Sequence, residues 1–368
     1  MGGRSFISAS RIAALLAAGF VMSSAQAATF LYVGSSDSQD ITVLSLDPKT
    51  GALTPVETIA VPGPAKPGGS LPLAVSPDKK FIFAGLRAEP FSVATFAIDP
   101  KSGKLKHTGS GPLEGSMAYI ASDKTGKYLL AASYPQHKVT VSPIGANGVV
   151  GATQQTVTTE PNAHAVMTDS TNKYVFHTSL GGDLVYQQKF DAKTGKLTPN
   201  DPPSVKAGTK AGARHLVFSP NKKFVYLLNE LDATVYVFPY DAAKGTMKKE
   251  VQVISAMPKG SSVKPWAADI HLTPDGKYLY ASERTTSTIA AYKVDPAKGT
   301  LTAIDSYPTE KQPRAFAIDP SGRFLYAVGE LSHSLTIHAI DPKTGALSKI
   351  KDMPAGKKPN WIEIVTLR

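Results

Sequence analysis

A motif that returns along the chain at nearly equal steps restricts it to architectures assembled from repeated units. Each copy reads Ser/Thr/Asp-Pro-Asp-Gly-Lys or a near variant, an aromatic-rich strand, a polar turn, an alternating strand, then Asp-x-x-x-Gly-x-Leu. Copies begin at Ser76, Ser122, Thr168, Ser219, Thr273 and Asp319, with spacings of 46, 46, 51, 54 and 46 residues. The closing turn recurs as Asp99 to Gly103, Asp191 to Gly195, Asp241 to Gly245, Asp295 to Gly299 and Asp341 to Gly345, with Gly148 in a degenerate copy. A seventh copy is divided between the ends: Phe30 to Gly34 enters a unit at its second strand and runs on to Asp47 and Gly51, while Lys358 to Ile364 matches the strand that opens a unit.

The divided copy implies that the last strand completes the first sheet, which leaves no open edge at the joint. Residues 28–368 shared among seven units give about 49 each, the length of a four-stranded propeller blade. The expected fold is therefore all-β, a seven-bladed β-propeller closed by pairing of the N- and C-terminal strands. A sandwich or a β-helix would show shorter spacings and no divided copy. Pro62 to Gly69 and Met257 to Pro265 read as longer connections between blades.

Residues 1–27 stand apart from the repeats. Arg4 and Arg11 precede an apolar run from Ile12 to Met22, too short to span a bilayer comfortably, and Ala25-Gln26-Ala27 has the small-x-small form of a cleavage site. We expect a signal peptide over 1–27 and a propeller domain over 28–368, exported to the periplasm or secreted, with no membrane insertion after cleavage. With no Cys in the chain, disulfides, thiol nucleophiles and thiolate metal sites are excluded. The net charge of +11 comes from Lys scattered over blade turns with no basic helix, a solvated surface and not a nucleic-acid footprint.

In a propeller the start of each inner strand and the end of each second strand surround one mouth of the central channel. Counting four residues past the conserved aromatic or aliphatic position of the second strands gives Ser36, Arg87, Tyr134, Leu180, Glu230, Arg284 and Glu330. Counting back from the repeated Pro or Asp on the first strands gives Leu71, Met117, Ala163, Arg214, Ala268, Arg314 and Asn360, and the next register adds His164, His215 and Asp269. Arg87, Arg214, Arg284 and Arg314 converging on one concavity suit an anionic or oxyanion-forming small molecule, because guanidinium stays charged and donates in pairs. Carboxylates and imidazoles among them can move protons. The plainer alternative is that Arg–Glu pairs tie neighbouring blades together and that His215 is structural. No Gly-x-Ser-x-Gly elbow is present, Gly109 to Gly115 lacks the spacing and helix of a dinucleotide loop, and the eight His show no metal-ligand spacing. No cofactor and no metal are expected.

The segments Gly212 to Asn221, Asn229 to Leu231, Trp266 to Gly276, Glu283 to Thr285 and Gln312 to Arg314 resemble the seven-bladed lactonase family, in order and along most of the chain. That resemblance implies hydrolysis of an aldonic-acid lactone without a metal, with a sugar lactone as the only partner and a monomer or weak dimer as the assembly. The similar carboxy-muconate lactonizing enzymes use a His, two Arg and a Glu at strand ends. By motif these correspond to His164, Arg214, Glu230 and Arg284 as catalytic residues. Glu230 or His164 would accept a proton from water while Arg214 and Arg284 stabilise the carbonyl oxygen. Arg87, His215, Asp269 and Arg314 are left to bind substrate. The family's best-known substrate is a cytosolic sugar phosphate, whereas the leader points to export. A muconate-type cycloisomerase and a non-catalytic envelope propeller are the competing readings.

Overall fold

The computed structural model describes residues 1–3, 27–64 and 68–367, and every regular element among them is a β-strand. The leader expected over 1–27 falls almost wholly outside the described residues. The strands form seven antiparallel sheets, six of them built from a single consecutive run of strands. Blade 1 is the divided one. Its inner strand Pro359–Leu367 pairs with Ala28–Ser35, and Asp40–Leu46 and Leu53–Ala60 follow outward. The inner strands of blades 2 to 7 are Leu73–Val75, Met117–Ser122, Ala163–Thr168, Ala213–Phe218, Ala267–Leu272 and Pro313–Ile318. Each inner strand packs beside the next, and Pro359–Leu367 packs beside both Pro313–Ile318 and Leu73–Val75, so the ring is closed. The outer edge of blade 5 is split into Thr246–Met247 and Gln252–Ser255, both paired with Thr234–Asp241.

The core is not one mass but seven apolar layers, one in each gap between neighbouring blades. A blade therefore buries both faces, which explains why its middle strands read as nearly unbroken apolar runs. One contact repeats in every gap. The first aromatic of each second strand, Phe30, Phe81, Tyr128, Tyr174, Phe224, Tyr278 and Phe324, lies on the turn glycine of the next blade, where a Cβ would overlap the ring. Those glycines have φ between 65° and 80°, which disfavours any side chain independently of the contact. In four gaps a tyrosine two residues later adds a bond: Tyr32, Tyr226, Tyr280 and Tyr326 donate to the carbonyls of Gly103, Gly299, Gly345 and Gly51 at 2.8 to 3.0 Å.

The turn between first and second strands is held by one acceptor five residues before the aromatic. Ser76, Ser219 and Thr273 supply a hydroxyl to the amides of Phe81, Phe224 and Tyr278, while Asp123, Asp169 and Asp319 supply a carboxylate to those of Tyr128, Tyr174 and Phe324. Asp123 and Asp169 thus stand where Ser76 stands, one residue before the repeated Pro. The sequence count that started from them is displaced by one residue in blades 3 and 4. Corrected, the first-strand ring is Leu71, Ala118, His164, Arg214, Ala268, Arg314 and Asn360, so His164 is level with Arg214 and not in the register beyond it.

Six of these positions coincide with a β-bulge. The ladder shifts between Met117 and Tyr119, Ala163 and Val166, Ala213 and His215, Ala267 and Ile270, and Pro313 and Ala315, and Asn360 is the extra residue facing Gly34 and Ser35. A bulge re-aims one side chain without ending the strand. The Gly51→Ala substitution, which places a methyl against Phe324 at φ 73°, is expected to destabilise the ring by about 2 to 4 kcal/mol, measured by urea denaturation.

Candidate active site

Some of the second-strand ends and inner-strand bulges meet at one mouth of the channel. Arg87, Ala118, Tyr134, His164, Glu230, Trp266, Arg284 and Arg314 line a cavity of about 160 Å³ there. Its centre is Glu230, which follows the strand Phe224–Asn229 and whose amide bonds the carbonyl of Gly212 at 2.7 Å. The Glu230 Oε2 accepts from Arg214 Nε at 2.7 Å and from Arg284 Nη2 at 2.9 Å, and Oε1 accepts from the Trp266 indole at 3.2 Å. Burial works against its charge, but Arg214 and Arg284 outweigh it and hold the carboxyl below its usual range.

The two arginines on Glu230 are fixed by backbone as well. Arg214, only 1% exposed, donates Nη1 to the carbonyl of Ala268. Arg284 donates to the carbonyls of Trp266 and Ala267 at 3.1 and 3.0 Å and stacks 3.8 Å above the Trp266 ring. Burial, then Arg214, lowers the Arg284 pKa to about 9, so it remains a cation at neutral pH. Arg314 lies 3.8 Å from Glu330. Arg87 has no carboxylate partner among the described residues: Nε and Nη1 donate to the hydroxyls of Ser116 and Ser70 at 3.0 and 2.8 Å. Burial, reinforced by Arg314 and Arg214, lowers its pKa to about 10. Three guanidiniums, Arg87, Arg284 and Arg314, thus line this bowl with one carboxylate, Glu230, while Arg214 and Glu330 are buried behind it.

His164 sits beside these cations with its Nδ1 buried and unpaired, its ring edge-on to Tyr134 at 5.8 Å. Burial and then Arg214 push its pKa well below the normal imidazole value, so it is neutral at pH 7.

His215 and Asp269, expected at the mouth as substrate-binding residues, are one step deeper. The residue after each bulge faces the channel interior, where a second cavity of about 230 Å³ is lined by Tyr119, Arg214, His215, Asp269, His271, Arg314, Trp361 and Glu363, among others. There His215 Nδ1 donates to Asp269 Oδ1 at 2.9 Å and His271 Nε2 donates to Asp269 Oδ2 at 3.1 Å. Burial opposes the charge on Asp269, but both imidazoles outweigh it and hold the carboxyl far below its usual range. Trp266, Trp361 and Glu363 escaped the sequence count. Trp266 precedes its strand, and Trp361 and Glu363 lie beyond the bulge; the aromatic at 266 was nevertheless visible in the motif Trp-Ala-Ala-Asp-Ile-His.

The chain belongs to the seven-bladed β-propeller lactonase family, whose model matches residues 30–364. It is 39% identical over 290 residues to a 6-phosphogluconolactonase of Erwinia tasmaniensis, covering 78% of this chain and 84% of the relative. It is 39% identical over 289 residues to a 6-phosphogluconolactonase of Pectobacterium carotovorum, with the same coverage. The solved structure of a periplasmic gluconolactonase of Pseudomonas aeruginosa superimposes with a TM-score of 0.85 at 25% identity, covering 93% of this chain and all of that one.

Glu363 gives a pH test of the channel. Burial raises its pKa to about 7, against a bond from the Trp361 indole at 3.0 Å. The folded state thus holds this proton more tightly than the unfolded state, and the group's contribution is lost as pH rises from about 4.5 to about 7. Relative to wild type, Glu363→Gln is expected to gain on the order of 2 kcal/mol more stability at pH 8 than at pH 4, read from urea midpoints.

Proposed function

We propose that this lactonase opens an aldonic-acid sugar lactone at the arginine-lined mouth, in the periplasm. The observation that carries the reading is the bowl itself, in which Arg87, Arg284 and Arg314 outnumber Glu230 beside a neutral histidine. Uncompensated buried cations are costly unless a ligand supplies negative charge, and a lactone supplies it as the carbonyl becomes an oxyanion and again as the product carboxylate. The named relatives support the substrate class, and the periplasmic relative and the leader support the location.

The partners of each side chain support a division of roles. The oxygens of Glu230 are already engaged by two guanidiniums and an indole, which makes it a weak base and an organiser of Arg214 and Arg284. His164 is the proton acceptor. Water attacks the lactone carbonyl as its proton passes to His164, the charge on the carbonyl oxygen meets the guanidinium of Arg284, whose Nη1 makes no bond to protein among the described residues, and the ring C–O bond breaks as the leaving oxygen takes up a proton. Arg87 and Arg314, with donors to spare, hold the hydroxyls, carboxylate or phosphate of the sugar.

A stopped-flow pH-indicator assay on glucono-1,5-lactone and 6-phosphogluconolactone, with spontaneous opening subtracted and with and without EDTA, tests this. Arg284→Met is expected to keep the fold, as seen by circular dichroism, and to lose about 10²- to 10³-fold in kcat. Arg87→Ala is expected to raise KM about ten- to a hundredfold for the phosphorylated lactone and to leave glucono-1,5-lactone nearly unchanged. Failure of the wild type to accelerate either lactone overturns the substrate class.

A further inference from the structure

The chamber of about 230 Å³ below the mouth keeps polar atoms that the protein does not use. His271, on the inner strand Ala267–Leu272, commits Nε2 to Asp269 and leaves Nδ1 without a partner among the described residues, and 41% of its side chain is accessible. Glu363, half-buried, accepts the Trp361 indole on Oε1 at 3.0 Å, and its Oε2 has no partner among the described residues. The Tyr119 hydroxyl is likewise without one. Burial, then Glu363 and Asp269, push its pKa above the ordinary phenol range, so it stays protonated. The chamber therefore offers an open donor in Tyr119, an open acceptor in Glu363, and a nitrogen of His271 that serves as either. An anion finds no donor at Glu363 once that carboxyl is ionised, and a cation finds no acceptor at Tyr119 beyond one shared oxygen. A hydroxyl group, which donates and accepts, matches all three.

The rest of the wall is apolar. Tyr119 and Trp361 meet edge to face with centroids 5.1 Å apart, and Ala315, Ala317 and Ile364 lie beside them. Aromatic and aliphatic walls around a few placed polar groups are the make-up of a small-molecule pocket. The space is far more than one water needs and admits a monosaccharide. Its approach does not run through the lactone site. Tyr119 and Glu363 also line a further cavity of about 370 Å³ together with Ser122 and Thr168, the last residues of the inner strands Met117–Ser122 and Ala163–Thr168. Those strand ends are the ones away from the mouth, which puts the approach on the far face.

We propose that the chamber is a second binding site, reached from the far face, for an uncharged polyhydroxyl compound of monosaccharide size. Hydroxyls of the ligand accept from Tyr119, donate to Glu363 and pair with Nδ1 of His271, while its C–H face lies on Trp361. Asp269 is not a contact: its oxygens are taken by His215 and His271 at 2.9 and 3.1 Å and by the amides of Ile270 and Phe316, and it orients His271. The site does not depend on the reaction at the mouth.

The chain has two tryptophans, Trp266 at the mouth and Trp361 in the chamber, so Trp266→Phe leaves Trp361 as the single indole reporter. D-glucose, D-galactose, D-xylose and sorbitol are titrated into this variant at about pH 8, above the Glu363 pKa of about 7, and into the wild type by calorimetry. At least one is expected to shift the Trp361 emission saturably, with a Kd at or below about 1 mM that calorimetry reproduces. Tighter binding of the cyclic sugars marks the ligand as a sugar, and tighter binding of sorbitol marks it as an open-chain polyol. Ala317→Leu, which fills the chamber, and Tyr119→Phe, which removes one donor, are each expected to raise that Kd at least about tenfold. Gluconate and glucose 6-phosphate are expected to leave Trp361 unchanged. The proposal is overturned if none of the four binds, so that the chamber holds water alone, or if only the two anions do. It is equally overturned if Arg284→Met abolishes binding and Ala317→Leu does not, which places the ligand at the mouth. Should Ala317→Leu fail to fold, Tyr119→Phe decides, because it deletes one oxygen. Binding is read without turnover, so an inactive mouth and an empty chamber are separate results.

Discussion

The ring depends on the contact between an aromatic side chain and the turn glycine of the next blade. Neither partner tolerates exchange: the glycine adopts a left-handed backbone and has no room for a methyl, and the aromatic fills the space left by that absence. Repetition of this fit in all seven gaps fixes how far each blade is set from its neighbour. Because the inner strands are held at that spacing, the bulges at His164 and Arg314 bring side chains from two blades into one bowl, and the bulge at Arg214 sets the cation that holds Glu230 there. A shift at one gap would be shared by the others, which is why the closing contact between Phe324 and Gly51 matters as much to the mouth as to the rim.

The fold was legible because its determinants are local and repeated. The Asp-x-x-x-Gly turns, the aromatics and the divided copy are each written in short stretches of sequence. Most of the mouth was legible for the same reason: Arg87, Glu230 and Arg284 are a constant distance beyond a strand anchor. The first-strand ring was read with an error in two blades, because Asp123 and Asp169 replace a hydroxyl acceptor with a carboxylate and look like the following position. The depth of His215 and Asp269 was not legible at all. It is set by bulges, and a bulge is defined by the partner strand, which no single segment records.

The division into two chambers separates two kinds of electrostatics along one channel. The mouth gathers cations and leaves them in excess, while the interior pairs Asp269 with two imidazoles and pushes the Glu363 pKa up to about 7. Arg214 belongs to both, since it binds Glu230 above and lines the cavity below. An anion arriving from solvent meets the cations of the mouth first.

The joint in blade 1 has a consequence for synthesis. The strand Pro359–Leu367 is made after every other strand, yet the sheet it completes begins at Ala28. Blades 2 to 7 can assemble in order as the chain emerges, but the ring cannot shut, and the aromatic–glycine fit at the seam cannot form, until those final residues are available. The newly made chain is therefore an open series of sheets with two unsatisfied ends for almost the whole time of its translation.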